Sequence, residues 1–290
     1  MEFTEVAGPV VLFLLMLAIG LELTPDDFRR VFQTPRAVVG GTLGQWILLP
    51  LMTWFVVGAV GVTPAFGAGA ILVAVTPGAG FSNVLVAIGR GNLALSVSLT
   101  ATASAFAVVT LPVLSSLGIR LFLDEALDVE VPVAALTAQL ALTLLLPIAL
   151  GMTLRARHSA GAKRLAPRLH QVTLAAMVAF VVGAVLFSPR EEVSFEGSER
   201  ALVAAFLWAL AAMAIGWGVG AACRLSAEDR FTFLIEFSIR NVGVSSIVAM
   251  SGLGRLDLTL FSGIYVAVAY PIAVLLVSWR RRRTRPATSG

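Results

Sequence analysis

Charge is scarce in this chain. Asp, Glu, Lys and Arg make up only 13% of its 290 residues, about half the ~25% of a soluble globular protein. So few charges cannot coat a water-exposed surface of this size, which excludes an ordinary soluble enzyme. Cysteine is nearly absent: Cys223 stands alone, so neither a disulfide framework within the chain nor a Cys-rich metal centre can be built. Histidine is limited to His158 and His170, both in or beside a basic stretch. No pair of Asp or Cys lies in apolar sequence to serve as nucleophile and base, which argues against an intramembrane hydrolase.

What the chain has is apolar length. Hydrophobic residues reach 58% and the mean hydropathy is +0.92. A bilayer crossing takes about 20 predominantly apolar residues. The polar punctuation leaves nine such segments, near residues 7–23, 37–60, 66–88, 93–119, 131–154, 169–187, 201–223, 229–252 and 258–279. The expected class is an all-α polytopic membrane protein with nine transmembrane helices. "MEFTEVAG" carries no basic residue, and no A-x-A-like cleavage site precedes "LELTPDD". The first segment is therefore read as a retained helix rather than a signal peptide, and no transit peptide is visible.

Nine crossings place the termini on opposite sides, so alternate loops should differ in Lys and Arg. One set (Arg29, Arg30, Arg36, Arg90, Arg155, Arg157, Lys163, Arg164, Arg168, Arg224, Arg230, Arg280 to Arg283 and Arg285) holds 16, and the other (Arg120, Arg190, Arg200 and Arg255) holds 4. The positive-inside rule then places the N-terminus outside and the basic tail, residues 280–290, in the cytoplasm, as in a multi-pass protein of the plasma (inner) membrane. Anionic membrane lipid attracts such loops, which accounts for a pI near 10.2 with no nucleic acid as partner. Of the 21 Lys and Arg, only Arg240 falls inside an expected crossing.

Two segments carry polar residues where lipid would not tolerate them. In "VTPGAGFSNVLVAIGRGNLALSVSLT", Pro77 has no N–H and clashes with the carbonyl of residue 73, while Gly78 and Gly80 tolerate helix-ending conformations. The helix is expected to break near 77–80 and restart near Phe81–Ser82, facing protein or a water-filled cavity. Ser82 and Asn83 then sit at a half-helix N-terminus, and Ser96 and Thr100 share one face of the following helix. The other segment, "SAEDRFTFLIEFSIRNVGVSSIVAM", opens on a capping box, Ser226 with Asp229. Deeper in it lie Glu236, Arg240, Asn241 and Gly243, where "RNVG" suggests a second break. An ionisable residue at that depth marks an ion or substrate path by default, although Glu236 and Arg240 are also spaced i, i+4 as a self-neutralising pair. Two broken helices in different halves of one chain point to a secondary transporter with inverted repeats.

These residues resemble the bile acid:sodium symporter family. The likeness runs through "GLELTPDDFRRVFQTPR", "GQWILLPLMTW", "TPGAGFSNVLVAIGRGNLALSVSLT" and "IEFSIRNVGVSSIVA", with Ala79 where the family pattern has a second glycine. The resemblance implies one transporter domain over residues 1–290, in the nine-helix form. Its first repeat (about 7–122) lacks its first helix, and its second covers about 130–279. Two broken helices cross in a core domain beside a panel domain. It also implies a first Na+ site at Ser82, Asn83, Ser96, Thr100 and Glu236. A second Na+ site would use Gln45, Glu236, Phe237 and Ile239 with a position that is usually Gln and here is Arg240. A guanidinium has no lone pair to give and its charge repels a cation, so Arg240 is expected to stand in for the second Na+, paired with Glu236.

The implied activity is Na+-coupled symport of a small organic anion, a bile acid-like, pantoate-like or keto acid-like carboxylate. The substrate is expected at Gly80, Phe81, Ser82, Arg240 and Asn241. The alternative is an organic-anion carrier whose coupling is lost or passes to protons through Glu236, because Arg240 replaces the second ion.

Overall fold

The computed structural model describes residues 3–22, 24, 33–123, 146–187 and 194–283. Most of the expected fifth crossing, the acidic stretch 124–130, much of "LELTPDDFRRVF" and the tail from 284 lie outside the described residues. Those residues form helices α1 (Phe3–Glu22), α2 (Pro35–Val60), α3 (Pro64–Val75), α4 (Gly80–Ile88) and α5 (Leu93–Leu123). There follow α6 (Leu146–Arg157), α7 (Ser159–Phe187), α8 (Ser198–Ala222), α9 (Ala227–Ser238), α10 (Val242–Ile247, continued by a π-helical turn at Val248–Gly252) and α11 (Thr259–Arg283). No strand occurs among the described residues.

Helix is what a lipid solvent dictates, because every backbone N–H and C=O must find its partner inside the protein. Among the described residues three helices, α2 (26 residues), α8 (25) and α11 (25), are long and apolar enough to cross a membrane. Their outer faces carry Leu51, Trp54 and Phe55 on α2, Leu202, Phe206 and Leu210 on α8, and Leu275 on α11, all exposed. Apolar surface of that extent marks a multi-pass membrane protein rather than a soluble one.

Local chemistry shapes each interruption. Pro50 cannot donate into the helical ladder, and the turn before it, Gly44–Leu48, widens to a π-helix that carries Gln45. Pro77 forces the residue before it out of the helical region, and Thr76 is extended at φ −70°, ψ 153°. Ser226 caps α9 as expected, its Oγ accepting from the Asp229 N–H at 3.1 Å. The α7 helix departs from expectation: it begins at Ser159 rather than near 169 and includes Pro167. Lys163, Arg164 and Arg168 are compatible with helix outside the hydrocarbon, so hydropathy marked only the apolar part of it.

The α1, α6 and α7 helices pack chiefly on one another. Their backbones touch at glycine: a Cβ on Gly20 would lie 2.4 Å from the Ile148 carbonyl oxygen, and one on Gly151 would lie 2.6 Å from that of Leu17. The other helices gather around α3 and α9. There Trp208 of α8, fully buried, donates its indole N–H to Thr53 Oγ1 at 2.7 Å and meets the Tyr265 ring edge-on.

Backbone cannot yield as a flexible side chain can, so Gly20→Val should cost about 1–3 kcal/mol of stability. Gly218→Ala, where nothing lies within 4 Å, is the control. Equal melting temperatures of the two solubilised variants would show that the α1–α6 approach is not tight.

Candidate functional site

The two interrupted helices cross at their breaks. Between α3 and α4 the chain leaves the helix over residues 76–79, with Thr76 and Ala79 extended; between α9 and α10 it does so over residues 239–241, with Ile239 extended. The strands of chain lie antiparallel as an isolated bridge, Gly78 opposite Arg240. The Ala79 N–H donates to the Ile239 carbonyl at 3.1 Å, and the Asn241 N–H donates to the Pro77 carbonyl at 3.0 Å. The chain has two tyrosines, and both serve this point from α11. The Tyr265 hydroxyl donates to the Ser238 carbonyl, and that of Tyr270 to the Arg240 carbonyl at 3.1 Å.

Beside the bridge lies the first set of residues singled out in the sequence. Glu236, Ser82 and Ser96 are fully buried and Thr100 nearly so. Ser82 Oγ and Ser96 Oγ each approach Glu236 Oε1 at 2.5 Å, and Thr100 Oγ1 donates to Oε2 at 3.0 Å. Ser82 Oγ also lies 2.7 Å from the Ala79 carbonyl, and Ser96 Oγ lies 2.7 Å from Asn83 Oδ1. Each hydroxyl owns one proton. Three hydroxyl protons therefore face five close contacts with acceptors, so with Glu236 ionised and the Asn83 oxygen facing Ser96 two contacts have no proton. Gly78 completes the cluster, since a Cβ there would stand 2.7 Å from Glu236 Oε2.

The second set is arranged differently from expectation. Arg240 is 1% exposed, yet its guanidinium makes no ion pair with the Glu236 carboxylate. Nη1 donates to Gln45 Oε1 at 2.7 Å and to the Glu236 carbonyl at 3.3 Å; Nη2 donates to the carbonyls of Ala74 at 3.3 Å and Thr76. The i, i+4 geometry fails because α9 ends at Ser238 and Ile239 is extended, which turns Arg240 out of the helix. Gln45 and the Glu236 backbone thus join Arg240, whereas the Ile239 carbonyl is taken by Ala79 and the buried Phe237 ring stacks on Phe233. Gln45 Nε2 and Arg240 Nε are buried without a partner.

Of the residues proposed for substrate, Gly80 and Phe81 open α4, and the Phe81 ring stacks on Tyr270 with centroids 5.4 Å apart. Phe81 is exposed, whereas Ser82, Arg240 and Asn241 are buried. Asn241 caps α10, its Oδ1 accepting from the Val244 N–H at 3.2 Å. A cavity of about 500 Å³ lies at the arginine-bearing end, lined by Arg36, Asn92, Ser98, Arg224 and Asp229 among others. The carbonyls of Ala74 and Thr76 and the two tyrosines went unnoticed in the sequence. A backbone oxygen has no side-chain signature, and the tyrosines' only signal was their rarity.

The Sodium Bile acid symporter family matches the chain over residues 9–193. A chloroplastic "probable sodium/metabolite cotransporter" of Arabidopsis thaliana is 27% identical, covering 94% of this chain and 66% of its own length. An uncharacterized sodium-dependent transporter of Bacillus subtilis is also 27% identical, over 85% of this chain and 75% of its own. The sodium/bile acid cotransporter 4 of Rattus norvegicus is 24% identical over 80% and 53%. The chain thus spans about two thirds of the length of the Arabidopsis relative.

Removing one tyrosine hydroxyl tests how the crossing is held. Tyr265→Phe strips the Ser238 carbonyl of its donor from α11 and should cost about 1–3 kcal/mol. Tyr270→Phe should cost less, because the Arg240 carbonyl keeps the Val242 N–H at 2.9 Å. Chemical unfolding of both variants reads the difference, and the reverse order would contradict this account.

Proposed function

Because the chain belongs to the sodium bile acid symporter family, we propose that it is a secondary active transporter coupling Na+ to the movement of a small organic anion by alternating access. The observation that carries the reading is the shortage of protons around Glu236. Turning the Asn83 amide would serve one of the two unserved contacts, and a proton on Glu236 would serve the other. A cation among these oxygens settles both. One carboxylate with the neutral oxygens of Ser82, Asn83, Ser96 and Thr100 supplies a single negative charge, which suits a hard monovalent ion. The three relatives carry sodium in their descriptions, in agreement with this choice.

The same reading assigns α1, α6 and α7 to a panel and the remaining helices to a core that holds the crossing. It takes the chain as nine crossings in two inverted repeats, about 7–122 and about 130–279. The protein is placed in the plasma membrane with its basic tail, residues 280–290, in the cytoplasm. The substrate anion is assigned to the start of α4, at Gly80 and Phe81, where the positive end of a half-helix favours negative charge. Ser82 and Asn241 border that position. Bile acid-like, pantoate-like and keto acid-like carboxylates all fit this chemistry.

A ligand that binds only the folded protein stabilises it by about 2.7 kcal/mol at one hundred times its Kd. Melting of the solubilised protein should therefore rise in sodium chloride over choline or potassium chloride at equal ionic strength. The rise should vanish in Asn83→Ala, and in Gly78→Ala, whose new methyl would press on the Glu236 carboxylate. A folded protein indifferent to sodium would redirect the reading to an uncoupled carrier, or to one coupled to protons through Glu236.

A further inference from the structure

Arg240 poses a problem of its own. A buried cation is costly unless an anion or a full set of acceptors replaces its water, and no carboxylate pairs with this one. What faces it is four neutral oxygens, from Gln45, Ala74, Thr76 and Glu236. Their origin is informative. Ala74 and Thr76 lie at the C-terminal end of α3, and Glu236 lies in the last turn of α9. Both half-helices thus turn the negative ends of their dipoles toward one point, and the Gln45 amide, set there by the π-helical turn of α2, closes the remaining side. Carbonyl oxygens at unwound helix ends are what coordinates a monovalent cation inside a membrane. The guanidinium sits among them as that cation would, with its Nε left without a partner.

We propose that Arg240 is a tethered cation: it permanently fills a second carbonyl-lined ion position at the crossing, so the chain binds one Na+, at Glu236, and couples transport to one. The proposal rests on the sodium reading above. The fixed charge acts twice, by occupying the oxygens and by repelling any ion that approaches them. Arg240 is a specificity-determining residue for ion number and is not itself a ligand of the transported ion.

The test is equilibrium binding of radiolabelled Na+ to the purified full-length protein, counted per chain. Wild type should bind one Na+, lost in Asn83→Ala. Arg240→Gln, which removes the charge and leaves the oxygens, should bind two, and the Na+ dependence of its melting should steepen accordingly. Arg240→Lys, which keeps a tethered charge, should stay at one. Two ions bound by wild type would overturn the proposal and leave the sodium reading standing, and that measurement needs no variant to fold. A folded Arg240→Gln that still binds one ion would also overturn it. No Na+ bound by folded wild type would remove the sodium reading and this inference together.

Discussion

A helix cannot be interrupted in lipid unless every backbone group it releases is given a new partner. The structure meets that condition by pairing two interruptions with each other. The Gly78–Arg240 bridge exchanges hydrogen bonds between the breaks, so each supplies what the other lacks. The remaining carbonyls find donors that only the tertiary structure can bring, from Tyr265, Tyr270 and the Arg240 guanidinium. Remove one break and the other becomes untenable.

Once the breaks exist, their ends carry electrostatic consequences. The α4 and α10 helices begin at the crossing, with Ser82 and Asn83 in the first turn of α4, and α3 and α9 end there, with Ala74, Thr76 and Glu236 at or beside their last turns. The buried carboxylate is satisfied by hydroxyls from two other helices rather than by the buried arginine four residues on. Two opposite charges of similar depth are thereby kept in separate polar environments. Around an ionised Glu236 protons are short; around Arg240 four oxygens accept, while its Nε and the Gln45 Nε2 have no acceptor.

The parts of this arrangement set by covalent chemistry were readable from the sequence. Pro77 announces its break because it has no N–H and bars Thr76 from helix. Ser226 announces the start of α9, and Ser96 and Thr100 announce a shared face by their spacing. The family resemblance grouped Gln45 with Arg240, but the expected pairing with the Glu236 carboxylate failed, because i, i+4 spacing implies a continuous helix and the break that "RNVG" suggested already begins at Ile239, with no proline to mark it. That break is held by Tyr265, Tyr270 and Ala79, all distant in sequence. The start of α7 at Ser159 was missed for the converse reason: its charged first turns are good helix outside the hydrocarbon, where hydropathy carries no signal.

The tally of formal charge at the crossing has a consequence for energy supply. One carboxylate and one guanidinium leave the bare crossing with no net charge. A membrane potential does work only on net charge that moves, about 2.3 kcal/mol per elementary charge for each 100 mV. In a carrier built this way a form holding one Na+ together with one singly charged anion would be neutral at the crossing too, so the voltage would act only on a form holding the ion without its anion. The return of the empty form would be indifferent to it, which makes resetting as easy in a de-energised cell as in an energised one.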